Sequence, residues 1–270
     1  MIPSFLKRLA GTVRRYAMRP WRPVVFMRLA WHGYTRNQRW KPLGDDGSRS
    51  DLSNPLRNYF YSVETGLGIL KWDHYLDIYH RHFEKFRGKE VNVLEVGVYR
   101  GGSLRMWKDY FGPKCRVYGV DIEKDCKVYE DDSVKVFIGD QGDREFWRRF
   151  KEQVPNIDIV IDDGGHKSYQ QIVTLEEMLP HLRPGGVYLC EDVHGIRNEF
   201  LFYMDGFSHN LHRASLMENV DNNARRVVCR SSEFQSTIHS VHFYPFVTVV
   251  EKRVKPLAEF VAPEWPPFLK

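Results

Sequence analysis

Val91-Asn92-Val93-Leu94-Glu95-Val96-Gly97-Val98-Tyr99-Arg100-Gly101-Gly102-Ser103 is the stretch that decides the fold. Val91–Val96 is a short apolar run bounded by turn residues, the pattern of a buried strand. Leu104–Tyr110, directly after it, has helical character. The glycines between them let the backbone turn sharply and approach a ligand closely. The spacing is GxxxGG, which fails the GxGxxG dinucleotide fingerprint and so speaks against a nucleotide-sugar dehydrogenase. Asp121 closes the next apolar run, Val117–Val120, and lies 24 residues after Gly97. A carboxylate there can accept the ribose hydroxyls of a nucleoside or cap a helix. The residues alone leave both open.

The pattern repeats outward from this unit. Residues 72–87 place Tyr75, Ile78, Tyr79, Phe83 and Phe86 on one helical face, ended by Gly88. Val134–Ile138, Ile157–Ile161 and Val187–Cys190 read as further strands. Glu145–Lys151 and Ser168–Leu182 read as helices, the second stopping before the turn Pro184-Gly185-Gly186. Strands alternating with helices predict an α/β fold: a doubly wound, mostly parallel sheet covered on both faces. Ser236–His242 and Phe246–Lys252 are expected to complete it, with an antiparallel final strand. Ligands of such sheets bind beyond the carboxyl ends of the strands. Asp121, Asp140, Asp162-Asp163 and Glu191-Asp192 stand at those ends, beside the glycine turn.

The order ExGxxxGGS, an acid ending the second strand, Gly-Asp after the third and Pro-Gly-Gly before the fifth resembles the class I S-adenosylmethionine-dependent methyltransferases. The resemblance covers about residues 70–252. It implies a Rossmann-like methyltransferase sheet. It implies that Glu95, Gly97, Gly101 and Ser103 border the methionine part of the cofactor, Asp121 the ribose, and Asp140 with Gln141 the adenine. The cofactor is a sulfonium cation, which an acidic rim attracts.

A second constellation follows the fourth and fifth strands. Asp162-Asp163-Gly164-Gly165-His166 and Glu191-Asp192 sit on neighbouring loops. Parallel strands lie about 4.8 Å apart, so carboxylates and an imidazole can share one site. Carboxylate clusters suit a hard cation such as Mg²⁺, and His166 could take a proton from a substrate held there. Singly, each residue could equally cap a helix or turn. The pair DDGGH and ED is similar to the metal-dependent sugar O-methyltransferases of the mycinamicin type and to cephalosporin-hydroxylase-like proteins. That likeness implies Asp163, Glu191 and Asp192 as metal ligands, His166 as the base, and a sugar hydroxyl of a polysaccharide, glycan or glycosylated metabolite as acceptor. Gly165 stands where that subgroup usually has serine. A catechol-type O-methyltransferase and a non-catalytic cofactor-binding module are the alternatives. The intact acidic-histidine set speaks against the second.

Composition sets the outer bounds. The chain has 270 residues, 42% hydrophobic and 28% charged, which fits a globular protein and excludes a disordered or fibrous one. Four scattered cysteines (Cys115, Cys126, Cys190, Cys229) form no CxxC pair, so reduced thiols in a cytoplasmic compartment are expected. Residues 1–50 hold 11 Lys+Arg against 2 Asp+Glu, a net of +9, while the rest is net −4. An acidic body disfavours nucleic acid as partner. The expected organisation is a basic arm over 1–50, a methyltransferase domain over 51–255 and a Pro-rich tail over 256–270. Ile2, Phe5, Leu6, Leu9, Val13 and Tyr16 make residues 1–18 an amphipathic basic stretch stopped by Pro20 and Pro23. It reads as a packed helix, a peripheral membrane contact or a transit segment. A homo-oligomer stays open. Residues 193–235 are read as an irregular insert over the site.

Overall fold

The computed structural model describes residues 22–36, 53–195, 198–212, 217–219, 227–229 and 232–255. The expectations for residues 1–18 and for the tail at 256–270 lie outside these residues, as does much of the insert. The chain divides into two units, Met1–Ser50 and Asp51–Lys270. Of the first, helix α1 (Arg22–Arg36) is described. Pro23 falls in its first turn, where a missing N–H costs nothing. Among the described residues no helix is long and apolar enough to cross a membrane.

The second unit opens with α2 (Pro55–Ser62), capped by Asn54, and α3 (Asp73–Phe83). Then strands and helices alternate: β1 (Val91–Val96), α4 (Gly102–Phe111), β2 (Cys115–Asp121), β3 (Val134–Ile138), α5 (Arg144–Gln153), β4 (Ile157–Asp162), α6 (Ser168–Met178) and β5 (Leu182–Cys190). After α7 (Glu199–His209) come a small hairpin, β6 (Met217–Asn219) with β7 (Val227–Cys229), and a short helix α8 (Glu233–Thr237). β8 (Ile238–Tyr244) and β9 (Val247–Lys252) complete the chain described. Seven strands form one sheet in the order β3-β2-β1-β4-β5-β9-β8. β1 to β5 pair with one another in parallel, and β9 runs antiparallel to both β5 and β8.

Alternation along the strands builds two cores, one on each face. Val93, Ile159 and Ile161 face Tyr79, Phe83, Trp107 and Phe111. Leu94 and Val160 face Trp147, Phe150, Leu175 and Met178. Covering both faces fixes the register, because a one-residue slip would exchange the two sets. It also leaves the carboxyl edge as the place where polar groups collect.

Several boundaries depart from the sequence reading. α6 ends at Met178, and Pro184-Gly185-Gly186 lies inside β5 instead of a turn before it. Gly185 there has φ +81 and donates to Arg253 O, and β5 meets β4 through a register shift between Ile157 and Ile159. The glycines serve a bulged strand. Phe246, expected in the last strand, sits in the β8–β9 turn with φ +63.

Candidate active site

A cavity of about 700 Å³ opens at the carboxyl edge, between the loops after β1, β2, β3 and β4. Of the residues expected around the cofactor, Gly97, Ser103, Asp121, Asp140 and Gln141 line it. Gly97 is there for a steric reason. Its φ is +92, and a Cβ would stand 2.0 Å from Asp163 O, so only glycine lets β1 and β4 close together.

Glu95 and Gly101, expected beside the same cofactor, do not line the cavity. The Glu95 carboxylate points into the core, where it accepts from Ser103 Oγ at 2.8 Å and Trp107 Nε1 at 3.0 Å. Burial pushes this carboxyl up to about 7, against the pull of Lys71 and of those two donors. Gly101 caps α4 with φ +72 and packs under the Tyr129 ring. Both residues therefore hold the glycine turn from beneath.

Asp121 ties that turn to β2. Its Oδ2 accepts from the N–H groups of Val98 (2.8 Å) and Tyr99 (3.0 Å), and its Oδ1 from Glu123 N (2.9 Å). A carboxylate has about four acceptor sites, so capacity for a ribose hydroxyl remains chiefly on Oδ1. Both sequence readings of Asp121, cap and ligand acceptor, are thus compatible in one side chain. At the other end of the cavity, Asp140 Oδ1 accepts from Gly142 N (2.7 Å) and Gln170 Nε2 (3.1 Å). The Gln141 side chain is committed to the protein, bonding Asp162, Thr174 and Gly165 N. Gln170, which sequence reading missed, lines the cavity too, is 8% exposed, and its buried Oε1 has no hydrogen-bond partner. A Cβ on Gly165 would stand 2.3 Å from that oxygen. Buried polar atoms are rarely left unpaired, and an exocyclic amine of a bound base would supply the donor. The site therefore fits an adenosyl cofactor.

The acidic cluster adjoins this cavity. Asp162 turns inward to Gln141 and Tyr188, with burial pushing it up to about 6. Asp163, one residue on, faces outward. His166 Nε2 lies 3.7 Å from Asp192 Oδ2 and 4.0 Å from Asp163 Oδ1. One ligand atom from each of Asp163, His166 and Asp192 falls within 4.8 Å of the others. Tyr75 donates to Asp192 Oδ1 at 2.7 Å and holds it there.

Glu191 departs from the expected metal set. Its carboxylate is 1% exposed and lies 2.9 and 3.1 Å from the Lys71 ammonium, which also reaches Asp163 Oδ2 at 2.5 Å. A carboxylate this buried requires a counter-charge, and Lys71 provides it. Burial opposes the ammonium, but Asp163, Glu191 and Glu95 outweigh it and hold Lys71 above the usual lysine range. Burial and the Asp163 charge together push the Glu191 carboxyl up. Two carboxylates and an imidazole remain converged, a donor set suited to a divalent cation that accepts oxygen with nitrogen. Lys71 was also missed from sequence, since a lone lysine before a helix carries no pattern.

Residues 94–193, from β1 to just past Asp192, match a family described as a methyltransferase domain. With the sheet order, this match makes the body similar to the S-adenosylmethionine-dependent methyltransferases of the mycinamicin type. The chain is 39% identical over 159 residues to mycinamicin VI 2''-O-methyltransferase of Micromonospora griseorubida, covering 56% of this chain and 38% of that protein. It is 34% identical over 198 residues to 8-demethyl-8-alpha-L-rhamnosyl tetracenomycin-C 2'-O-methyltransferase of Streptomyces olivaceus, covering 66% and 50%. The methyltransferase of the mycinamycin biosynthetic pathway, solved with Mg and SAH, superposes with a TM-score of 0.58 at 28% identity, covering 76% of this chain and 55% of that one. The chain thus spans half or less of the length of these curated relatives.

Proposed function

We propose that this chain transfers the methyl group of S-adenosylmethionine to a sugar hydroxyl on a glycosylated acceptor, using a divalent cation such as Mg²⁺. The observation that carries this reading is His166 Nε2 standing within 4.0 Å of both Asp163 and Asp192 at the rim of the cofactor cavity. The relatives named above support a sugar as acceptor, and the Mg-bound structure supports the ion.

Each residue then has a task. Gly97, Ser103, Asp121 and Asp140 bound the cofactor, with Gln141 fixing the loop and Gln170 meeting the base. Asp163 and Asp192 would hold the cation, which when bound supplies Lewis acidity toward neighbouring hydroxyls. His166 Nε2 accepts the proton of the attacking hydroxyl. The oxygen–methyl bond forms as the sulfur–methyl bond breaks, leaving S-adenosylhomocysteine and a methyl ether. Much of the acceleration comes from orienting two reactants, on the order of 7–11 kcal/mol in favourable cases. The buried thiols Cys115, Cys126 and Cys190 suit a reducing, cytoplasm-like compartment.

The test is transfer of labelled methyl from S-adenosylmethionine to p-nitrophenyl glycosides of rhamnose and other deoxysugars, with catechol alongside. Transfer to a glycoside that stops in chelator and returns with Mg²⁺ is expected. Transfer to catechol alone would replace the sugar by an aromatic diol.

A further inference from the structure

We propose that Trp72 and Phe246 form an aromatic shelf on which the pyranose ring of the acceptor lies, beside His166 and Asp192. This rests on the sugar O-methyltransferase reading and states how its acceptor is held.

Backbone strain points to the place. Among the described residues, four other than glycine adopt left-handed φ: Tyr99 (51), His166 (53), Asp192 (52) and Phe246 (63). Side chains with a β-carbon resist this region, whereas glycine enters it freely. Such positions gather where a side chain must be aimed. Three of the four line the cofactor cavity. Phe246 is the fourth, and the cofactor site does not account for it.

The β8–β9 turn that carries Phe246 is tied to the acidic cluster. Val193 N donates to Phe246 O at 2.9 Å, one residue after Asp192. His74 Nε2 lies 3.0 Å from Pro245 O. The Phe246 ring meets Trp72 at 5.6 Å and His194 at 6.2 Å between centroids. Trp72 is nevertheless 55% exposed and Phe246 41%. Trp72 also lines a second pocket of about 360 Å³, together with Lys71, Tyr75, Asp163, Glu191 and Asp192.

That pocket has one aromatic side and one carboxylate side. A pyranose has the matching shape: a face of C–H groups with hydroxyls around its rim. The C–H face suits the negative face of an aromatic ring, and rim hydroxyls suit Asp163 and Asp192. A contiguous exposed apolar patch of this kind marks a binding surface. A ring stacked on Trp72 would have its rim hydroxyls facing Asp163 and Asp192, the carboxylates that share this pocket with Trp72.

Phe246→Gly is the cleanest probe, because it deletes the ring and relieves the turn. Trp72→Ala removes the other half. Both are compared with wild type for affinity to S-adenosylhomocysteine, for methyl transfer to p-nitrophenyl α-L-rhamnopyranoside, and for saturation-transfer NMR of methyl α-L-rhamnopyranoside and methyl α-D-glucopyranoside. The expected result is unchanged S-adenosylhomocysteine affinity, KM for the glycoside raised about tenfold, and loss of saturation transfer to the ring C–H protons. Trp72→Phe should retain most of both. Should Trp72→Ala disturb S-adenosylhomocysteine binding, Phe246→Gly decides alone. Unchanged KM and unchanged saturation transfer in Phe246→Gly would overturn the shelf while leaving the sugar reading standing. A wild type showing no saturation transfer to either glycoside would overturn the shelf as well. Ring-proton saturation in wild type without methyl transfer would uphold the shelf and sink the sugar methylation.

Discussion

The Lys71 ammonium stands 2.9 Å from Glu191 Oε2, and both side chains are 1% exposed. Lys71 precedes α3 and Glu191 follows β5, so this pair joins the N-terminal helices of the domain to the carboxyl edge of the sheet. It also divides the acidic cluster. Glu191 is neutralised from below, while Asp163 and Asp192 keep their remaining oxygens toward the pocket. A cation placed there meets less excess charge than three bare carboxylates would present.

Lys71→Met should therefore destabilise the fold. Removing one partner of a buried ion pair costs about 3–5 kcal/mol, because it strands the other charge. Urea unfolding in chelator measures the loss. Millimolar Mg²⁺ should then stabilise the variant more than the wild type, since the stranded carboxylates gain a ligand that only the folded state binds. Equal stability of variant and wild type in chelator would mean that Glu191 is not held by this lysine.

His166→Ala should lower turnover by about 10²–10⁴-fold, the usual contribution of a general base. Affinity for S-adenosylhomocysteine should stay the same, as the imidazole touches the carboxylates and not the glycine turn. Isothermal titration with Mg²⁺ separates base from ligand. Unchanged ion affinity keeps His166 as the base. A lost ion would make it the third ligand, as its distance from Asp163 and Asp192 allows.

The legible part of this chain was what backbone chemistry dictates. Short apolar runs that become strands buried on both faces, the glycine turn and acids closing consecutive strands are local patterns, and the sheet assembles them at one edge. The direction of a side chain is not local. Glu95 reads like Asp121, an acid beside a turn, yet alternation sends it into the core toward Trp107. Lys71 and Gln170 carry no spacing signal, because their partners lie 120 and 30 residues away. Pro184-Gly185-Gly186 reads as a turn because those residues favour one, and the antiparallel β9 overrides that preference. Phe246 reads as strand because an aromatic there fits the pleat. The turn that holds it is set by Val193 and Tyr75 from elsewhere in the chain.

Gln170→Met should weaken S-adenosylhomocysteine binding about 5–10-fold, the scale of one hydrogen bond to a buried group. The substitution keeps the length of the side chain and removes the unpartnered Oε1. It also releases Asp140 Oδ1 from Gln170 Nε2. Isothermal titration with S-adenosylhomocysteine and with its inosine counterpart checks the cause. Wild type should prefer the adenine form and the variant should not. A preference that survives in Gln170→Met would place the amine elsewhere, on Asp140.

Glu95→Gln should change how stability depends on pH. Burial raises the Glu95 carboxyl from 4.5 to about 7, with Lys71, Ser103 and Trp107 opposing. Between those values the folded state holds a proton that the unfolded chain has released. Stability from this group is then fully present below pH 4.5 and is lost as pH rises through about 7. Glutamine keeps an acceptor for Trp107 Nε1 and can donate to Ser103 Oγ, but it does not titrate. The stability of wild type minus that of Glu95→Gln should therefore fall by about 3 kcal/mol from pH 4.5 to pH 7. Asp162, also raised by burial, is common to both proteins and cancels in the difference. Urea unfolding of the pair at half-unit pH steps makes the measurement. A difference that stays flat across this window would show Glu95 ionised throughout. The Lys71 ammonium would then be shared among Asp163, Glu191 and Glu95, and the glycine turn would rest on a fixed charge.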